Sequence, residues 1–89
     1  MDPVEDYVAR IEETCGEEKA FIIIFKYNKK EQATAKILEK AKKEKTISNI
    51  IFELTYKGTQ FRLYNTGKAI FKNLKNKNEL NTILNELLL

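Results

Sequence analysis

Two short alternating runs flank a tight reversal in the second half of the chain. Residues 60–64 and 69–73 are two short runs whose successive side chains are expected on alternate faces, and Asn65-Thr66-Gly67-Lys68 separates them. A glycine after two small polar residues supplies the positive φ angle that a tight reversal needs. The pattern predicts a β-hairpin with one core-like face and one face of mixed basic, aromatic and aliphatic character. The core-like face carries Phe61, Leu63, Ala69 and Phe71.

The first half of the chain predicts two helices around one strand. Asp2-Pro3-Val4-Glu5 is typical of a helix start, and apolar side chains then recur at helical spacing, so we expect a helix over residues 3–15 that ends at Gly16. Phe21 to Tyr27 is a short β-branched and aromatic run that predicts a strand. Asn28, with Glu31 three residues later, indicates a second helix. Its charged i,i+4 pairs carry that helix to about residue 45.

The remaining segments predict strands and a last helix. Residues 47–56 have strand character, and Lys57-Gly58-Thr59 forms the turn into the hairpin. Asn76 with Glu79 indicates a third helix start, followed by a leucine-rich apolar face to the end of the chain. The predicted fold class is therefore α+β: an N-terminal helix and then β-α-β-β-β-α, with a four-stranded, mostly antiparallel sheet. Both later helices pack on one face of that sheet, which leaves the other face open.

Alternation assigns a defined set of residues to the open face. The expected members are Ile22, Ile24, Lys26, Ile51, Glu53, Thr55, Gln60, Arg62, Tyr64, Ile70 and Lys72.

Composition narrows the function classes that the open face can serve. The chain has no histidine and a single cysteine, Cys15, whose apolar spacing indicates a buried thiol, so hydrolytic and metal-dependent chemistry has few side chains to use. We therefore expect no enzymatic activity, no cofactor and no metal site. The acidic N-terminus and the absence of a long apolar run favour a cytoplasmic protein without a membrane segment.

Charge divides the chain into two parts. Residues 1–20 carry a net charge of −5 and residues 21–89 a net charge of +8. We interpret the first part as an acidic N-terminal helix and tail, which either docks with a solvated acidic face or shields the basic sheet. The second part is a basic domain, and a basic domain suits a polyanionic partner, although lysine-rich surfaces also occur without one.

The hairpin also resembles a known family. The run Phe61-Arg62-Leu63-Tyr64-Asn65-Thr66-Gly67-Lys68-Ala69-Ile70, within the strand and helix order of residues 21–88, is similar to one repeat of the TATA-box-binding protein. A similar half-saddle domain stands at the N-terminus of type-three ribonuclease H. The resemblance implies a half-saddle domain over residues 21–89 and a DNA-binding role in transcription. It places Tyr64 at a minor-groove wedge position, and Ile70 and Lys72 on the strand that faces the groove floor.

Two functional hypotheses follow for the open face. In the first, it binds DNA or RNA: the cations neutralise phosphates, Tyr64 stacks or wedges, and isoleucines supply apolar contact. The proposed nucleic-acid-binding residues are Lys26, Arg62, Tyr64, Lys68, Ile70 and Lys72. In the second, Ile22, Ile24 and Ile51 form an interface for a partner protein. A homodimer joined edge to edge through Phe21 to Tyr27 is expected to rebuild a full saddle.

Overall fold

The computed structural model describes residues 3–14, 20–72 and 74–89. They form three helices and six strands, in the order α1 (Pro3–Tyr7), β1 (Val8–Glu13), β2 (Ala20–Phe25), α2 (Lys30–Lys40), β3 (Lys42–Ile47), β4 (Ile51–Tyr56), β5 (Thr59–Tyr64), β6 (Lys68–Lys72) and α3 (Lys77–Leu88). Cys15 and Gly16, predicted as a buried thiol and a helix cap, lie outside the described residues.

The strands form one antiparallel sheet in the order β1-β2-β6-β5-β4-β3. The α+β class is confirmed, but the prediction of a four-stranded sheet is wrong because the sheet has six strands. The predicted hairpin is present as β5 and β6, with Phe61 opposite Phe71 and Leu63 opposite Ala69. The two strands that the prediction missed, β1 and β3, are the two edges of the sheet.

The first missed strand lies where a helix was predicted over residues 3–15. The helix ends at Tyr7, and Val8 to Glu13 pairs with β2 instead. A break in register between Val8 and Arg10 leaves one extra residue there, so Val8 and Ile11 both face the core, opposite Phe25 and Ile23. A β-bulge therefore gave two core residues the three-residue spacing of a helix.

The second missed strand lies in the lysine-rich end of the predicted second helix. That helix ends at Lys40, and Lys42 to Ile47 forms the edge strand β3, whose first five residues are exposed. Charged side chains, especially lysines, commonly protect sheet edges from pairing with other strands. A run of such residues has the same composition as the exposed surface of a helix. The predicted strand over 47–56 is interrupted by a turn in which Ser48 and Asn49 have φ angles of 54° and 57°.

The helix starts have different outcomes. The Asn76 side chain accepts a hydrogen bond of 2.9 Å from the Glu79 amide, so the predicted cap of α3 is confirmed. The predicted cap at Asn28 is wrong, because Lys29 occupies the N-cap position and makes no side-chain capping bond. No helix of the described ranges is long and apolar enough to cross a membrane.

The core lies between the helices and one face of the sheet. It joins Val4 and Val8 at the N-terminal end to apolar residues of α2, α3 and the central strands. Phe61 and Phe71 stack at its centre, with 4.4 Å between the ring centroids and 12° between the ring planes. We call the face of the sheet that the helices cover the covered face, and the opposite one the open face.

Candidate functional site

Cross-strand pairs place the open-face side chains in three rows, since residues directly opposite each other share a face. The first row contains Arg10, Ile24, Lys68, Tyr64, Ile51 and Ile47. The second row contains Glu12, Ile22, Ile70, Arg62, Glu53 and Lys45. The third row contains Ala20, Lys72, Gln60, Thr55 and Lys42. In it, Ala20 is opposite Lys72, and Thr55 is opposite Gln60 on one side and Lys42 on the other. Apolar, aromatic and basic side chains therefore alternate across the whole width of the sheet.

The charge of the open face is predominantly positive. Six basic residues project from its rows, against Glu12 and Glu53 within the rows and Glu44 at the β3 edge. Three of the six are paired: Arg10 with Glu12 at 3.3 Å, Arg62 with Glu53 at 3.0 Å and Lys42 with Glu44 at 3.8 Å. Within the described ranges, the other three, Lys45, Lys68 and Lys72, form no ion pair. These three lysines carry the uncompensated positive charge.

Tyr64 lies between apolar and basic neighbours in the first row. Ile51 is opposite it on β4 and Lys68 is opposite it on β6. The Lys68 ammonium lies 4.7 Å from the centre of the Tyr64 ring, a cation–π contact. The ring is half-buried, so it presents an aromatic surface within the face.

A shallow depression of about 250 Å³ occupies the part of the open face nearer β3. Glu53 and Thr55 of β4, Gln60 and Arg62 of β5, and Lys72 of β6 line it. Glu44 also lines it, from the edge strand. The depression therefore has carboxylates toward one side and cations toward the other.

The structure brings together all but one of the predicted site residues. Arg62, Tyr64, Lys68, Ile70 and Lys72 share the open face, and so do the predicted interface residues Ile22, Ile24 and Ile51. Lys26 is the exception, because β2 ends one residue before it. Its backbone N–H donates a hydrogen bond to the Tyr7 carbonyl at 2.8 Å.

Sequence reasoning missed the contributions of the two edge strands. Arg10 and Glu12 come from β1, and Lys42 and Lys45 come from β3. The lysine-rich run Lys42-Lys43-Glu44-Lys45 was the available signal. The expected dimer contact through Phe21 to Tyr27 is wrong in its geometry, because β1 and β6 occupy both edges of β2.

An ion pair with shifted pKa values lies away from the open face, between the β4–β5 turn and α3. Lys57, in the turn between β4 and β5, binds the carboxylate of Glu86 on α3, and the Tyr56 hydroxyl donates to the same oxygen at 3.3 Å. The hydrogen bond from Lys57 holds the pKa of Glu86 below its usual 4.5. The same bond raises the pKa of Lys57 above 10.5. This pair joins the β4–β5 turn to α3.

The open face combines basic, aromatic and aliphatic side chains. The parts of the chain that the structure describes contain no group of three or more histidine, cysteine or carboxylate side chains that could hold a metal ion. No protein-family model, no curated protein and no solved structure matches this chain.

Proposed function

We propose that the open face binds nucleic acid, with single strands as the preferred form, and that the protein is a non-enzymatic binding module. One observation carries this proposal. Lys45, Lys68 and Lys72 have no ion-pair partner among the described residues, and they surround a surface formed by Tyr64 and isoleucines. Sequence-tolerant single-strand binding combines the same two elements, cations for the backbone and an aromatic platform for the bases.

Each group has a separate role in this mode of binding. The three lysines neutralise phosphates and release the counterions condensed on the strand. Tyr64 stacks on a base, and Lys68, now 4.7 Å from the ring centre, moves from the ring to the neighbouring phosphate. Ile70 and Ile51 supply apolar contact to the sugars and base faces beside it. A single strand suits an open sheet face because its bases are accessible without opening a groove.

The resemblance to the TATA-box-binding protein family belongs to the same proposal and suggests a second form of ligand. It places Tyr64 as a wedge in the minor groove of a duplex, with Ile70 and Lys72 toward the groove floor. A duplex is therefore titrated beside the single strand for comparison. Tighter binding of the duplex would assign the face to the family mode of recognition.

The salt dependence of binding tests the proposal. A labelled thymine-only strand of about 12 nucleotides lies within the usual site sizes of such surfaces. Each contact to a single strand contributes a slope of about −0.7 to log K against log salt, so three lysines give about −2. Affinity measured by fluorescence anisotropy should then fall about 20-fold between about 50 and 200 mM salt.

Two lysines of one strand provide a matched pair of variants. Lys45 faces the open side opposite Glu53, whereas Lys43 is opposite Leu54 on the covered side. Lys45→Ala should lower affinity about fivefold near 0.1 M salt and reduce the slope by about 0.7. Lys43→Ala removes the same charge from the same edge strand and should change neither value. Equal effects of the two substitutions would show that binding depends on total charge and not on this face.

A protein partner is the second candidate, and the isoleucines favour it. Ile22 and Ile24 of β2 lie beside Ile70 and Lys68, and Ile51 lies at the other end of the first row. Contiguous aliphatic side chains on an open sheet face are a usual feature of interfaces between proteins. A homodimer formed through this face stays a prediction. Light scattering of the protein, with and without the strand at low and high salt, separates the two candidates. A dimer held by isoleucine contacts persists at high salt, whereas a complex held by phosphate contacts dissociates.

A further inference from the structure

We propose that the depression on the open face is a pocket for one guanine nucleotide of the bound strand, an inference that rests on the proposed function. The depression has a volume of about 250 Å³, slightly below the roughly 300–1,000 Å³ of sites for drug-sized ligands. That size suits a single base with part of its backbone. The wall beside it includes Ile70, whose side chain offers apolar contact to the face of a base.

Charge is separated across the pocket. Glu44 on β3 and Lys72 on β6 lie at its two ends, and the ion pair of Glu53 with Arg62 lies between them. A carboxylate accepts hydrogen bonds only, and an ammonium donates them only. The matching ligand therefore presents N–H donors at one end and an anionic group at the other. A nucleotide with an amino-bearing base has this arrangement.

A bulge brings Glu44 to the pocket. The register of β3 against β4 breaks between Lys43 and Lys45, so Glu44 is the extra residue of the strand. Its side chain is 43% exposed, and its ion pair with Lys42 is long, at 3.8 Å. By contrast, Glu53 is held by Arg62 at 3.0 Å. Glu44 is thus the carboxylate whose oxygens are most available to a ligand.

Guanine is the base that matches an exposed carboxylate best. Its Watson–Crick edge has two adjacent donors, N1–H and the N2 amino group, which fit the two oxygens of Glu44. Thymine has no amino group, and adenine and cytosine each offer one amino donor beside an acceptor. Lys72, across the pocket, receives the phosphate as a point charge.

The test compares four strands of about 12 nucleotides. One contains thymine only, and the others carry a single central guanine, adenine or cytosine. We expect the guanine strand to bind about 10-fold tighter than the thymine strand, within the range of a good bidentate base contact. Glu44→Gln should abolish this preference, so that the four strands bind with similar affinity. Glu39→Gln on α2 is the control that removes a carboxylate from the helical layer.

The outcomes separate the pocket from the wider proposal. Salt-dependent binding of all four strands with equal affinity overturns the guanine pocket and leaves the proposed function standing. A guanine preference that survives Glu44→Gln overturns the assignment to this pocket. If no strand binds, guanosine monophosphate is titrated while the amide resonances of Thr55, Gln60 and Lys72 are followed. Shifts there keep the pocket and overturn strand binding, whereas no shift overturns both.

Discussion

Replacing Glu53 with glutamine should strengthen binding of a single strand, although it breaks an ion pair. Arg62 Nη2 and Glu53 Oε1 are 3.0 Å apart, and the two side chains are 51% and 34% exposed. Ion pairs this exposed contribute about 0–1 kcal/mol to folding, so Glu53→Gln should leave the fold intact. The substitution removes a negative charge from the binding face and frees the guanidinium of Arg62 for a phosphate.

The size of the gain follows from counterion release. One additional contact to a single strand adds about −0.7 to the slope of log K against log salt. If the rest of the interface is unchanged, affinity for the thymine strand rises about fivefold at 0.1 M salt and only about twofold at 0.3 M. The shrinking of the gain with salt is the signature of a new phosphate contact.

Anisotropy titrations over a range of salt concentrations measure both quantities. In an Arg62→Ala background, Glu53→Gln should raise affinity only by the smaller amount that comes from lost repulsion. It should then leave the slope of log K against log salt unchanged. Glu39→Gln on the exposed surface of α2 removes the same charge from the helical layer and should have little effect. A gain that is absent, that is independent of salt, or that Glu39→Gln reproduces would refute this role of Arg62.

Three further predictions concern the fold. Leu84→Ala empties a fully buried position of α3 and should lower the free energy of unfolding, measured in urea, by about 2–5 kcal/mol. Leu89→Ala, at a 71% exposed position, should lower it little. Equal losses of stability would contradict the described core. Lys57→Ala should lower the melting temperature near neutral pH. The folded pKa of Glu86 is below 4.5, so the difference in melting temperature should be full above pH 4.5 and shrink as the pH falls through that folded pKa. It should shrink again above pH 10.5, where Lys57 loses its proton. A difference that stays constant with pH would count against the ion pair. Deleting residues 1–14 removes β1 and exposes the apolar edge of β2, so light scattering should detect self-association, and a stable monomer would argue against the β1–β2 pairing.

The central part of the fold could be predicted from the sequence because its local signals agree with one another. Side chains of the β5–β6 hairpin lie on alternate faces as assigned, and its turn has a glycine at φ 100°. The α3 start has a side-chain cap that forms as expected. Phe61 and Phe71 were therefore assigned to the correct face. The open-face positions of Arg62 and Tyr64 followed from the same alternation.

The edge strands could not be predicted because tertiary pairing decides them. In β1, a bulge at one residue gave Val8 and Ile11 a helical spacing. The cap-like sequence Asp2-Pro3-Val4-Glu5 reinforced that interpretation. In β3, charged residues that protect an edge have the same composition as an exposed helix. Lys45 and Glu44 were missed with it, and these residues supply one side of the proposed binding surface.

The most direct test of the proposed function is to map the binding surface by NMR while the thymine strand is added at low salt. Binding at the open face predicts the largest amide shifts at Lys45, Tyr64, Lys68, Ile70 and Lys72. The exposed surface of α2 should remain unchanged, and the shifts should disappear at high salt. Shifts confined to the helical layer, or none at any salt concentration, would contradict the account.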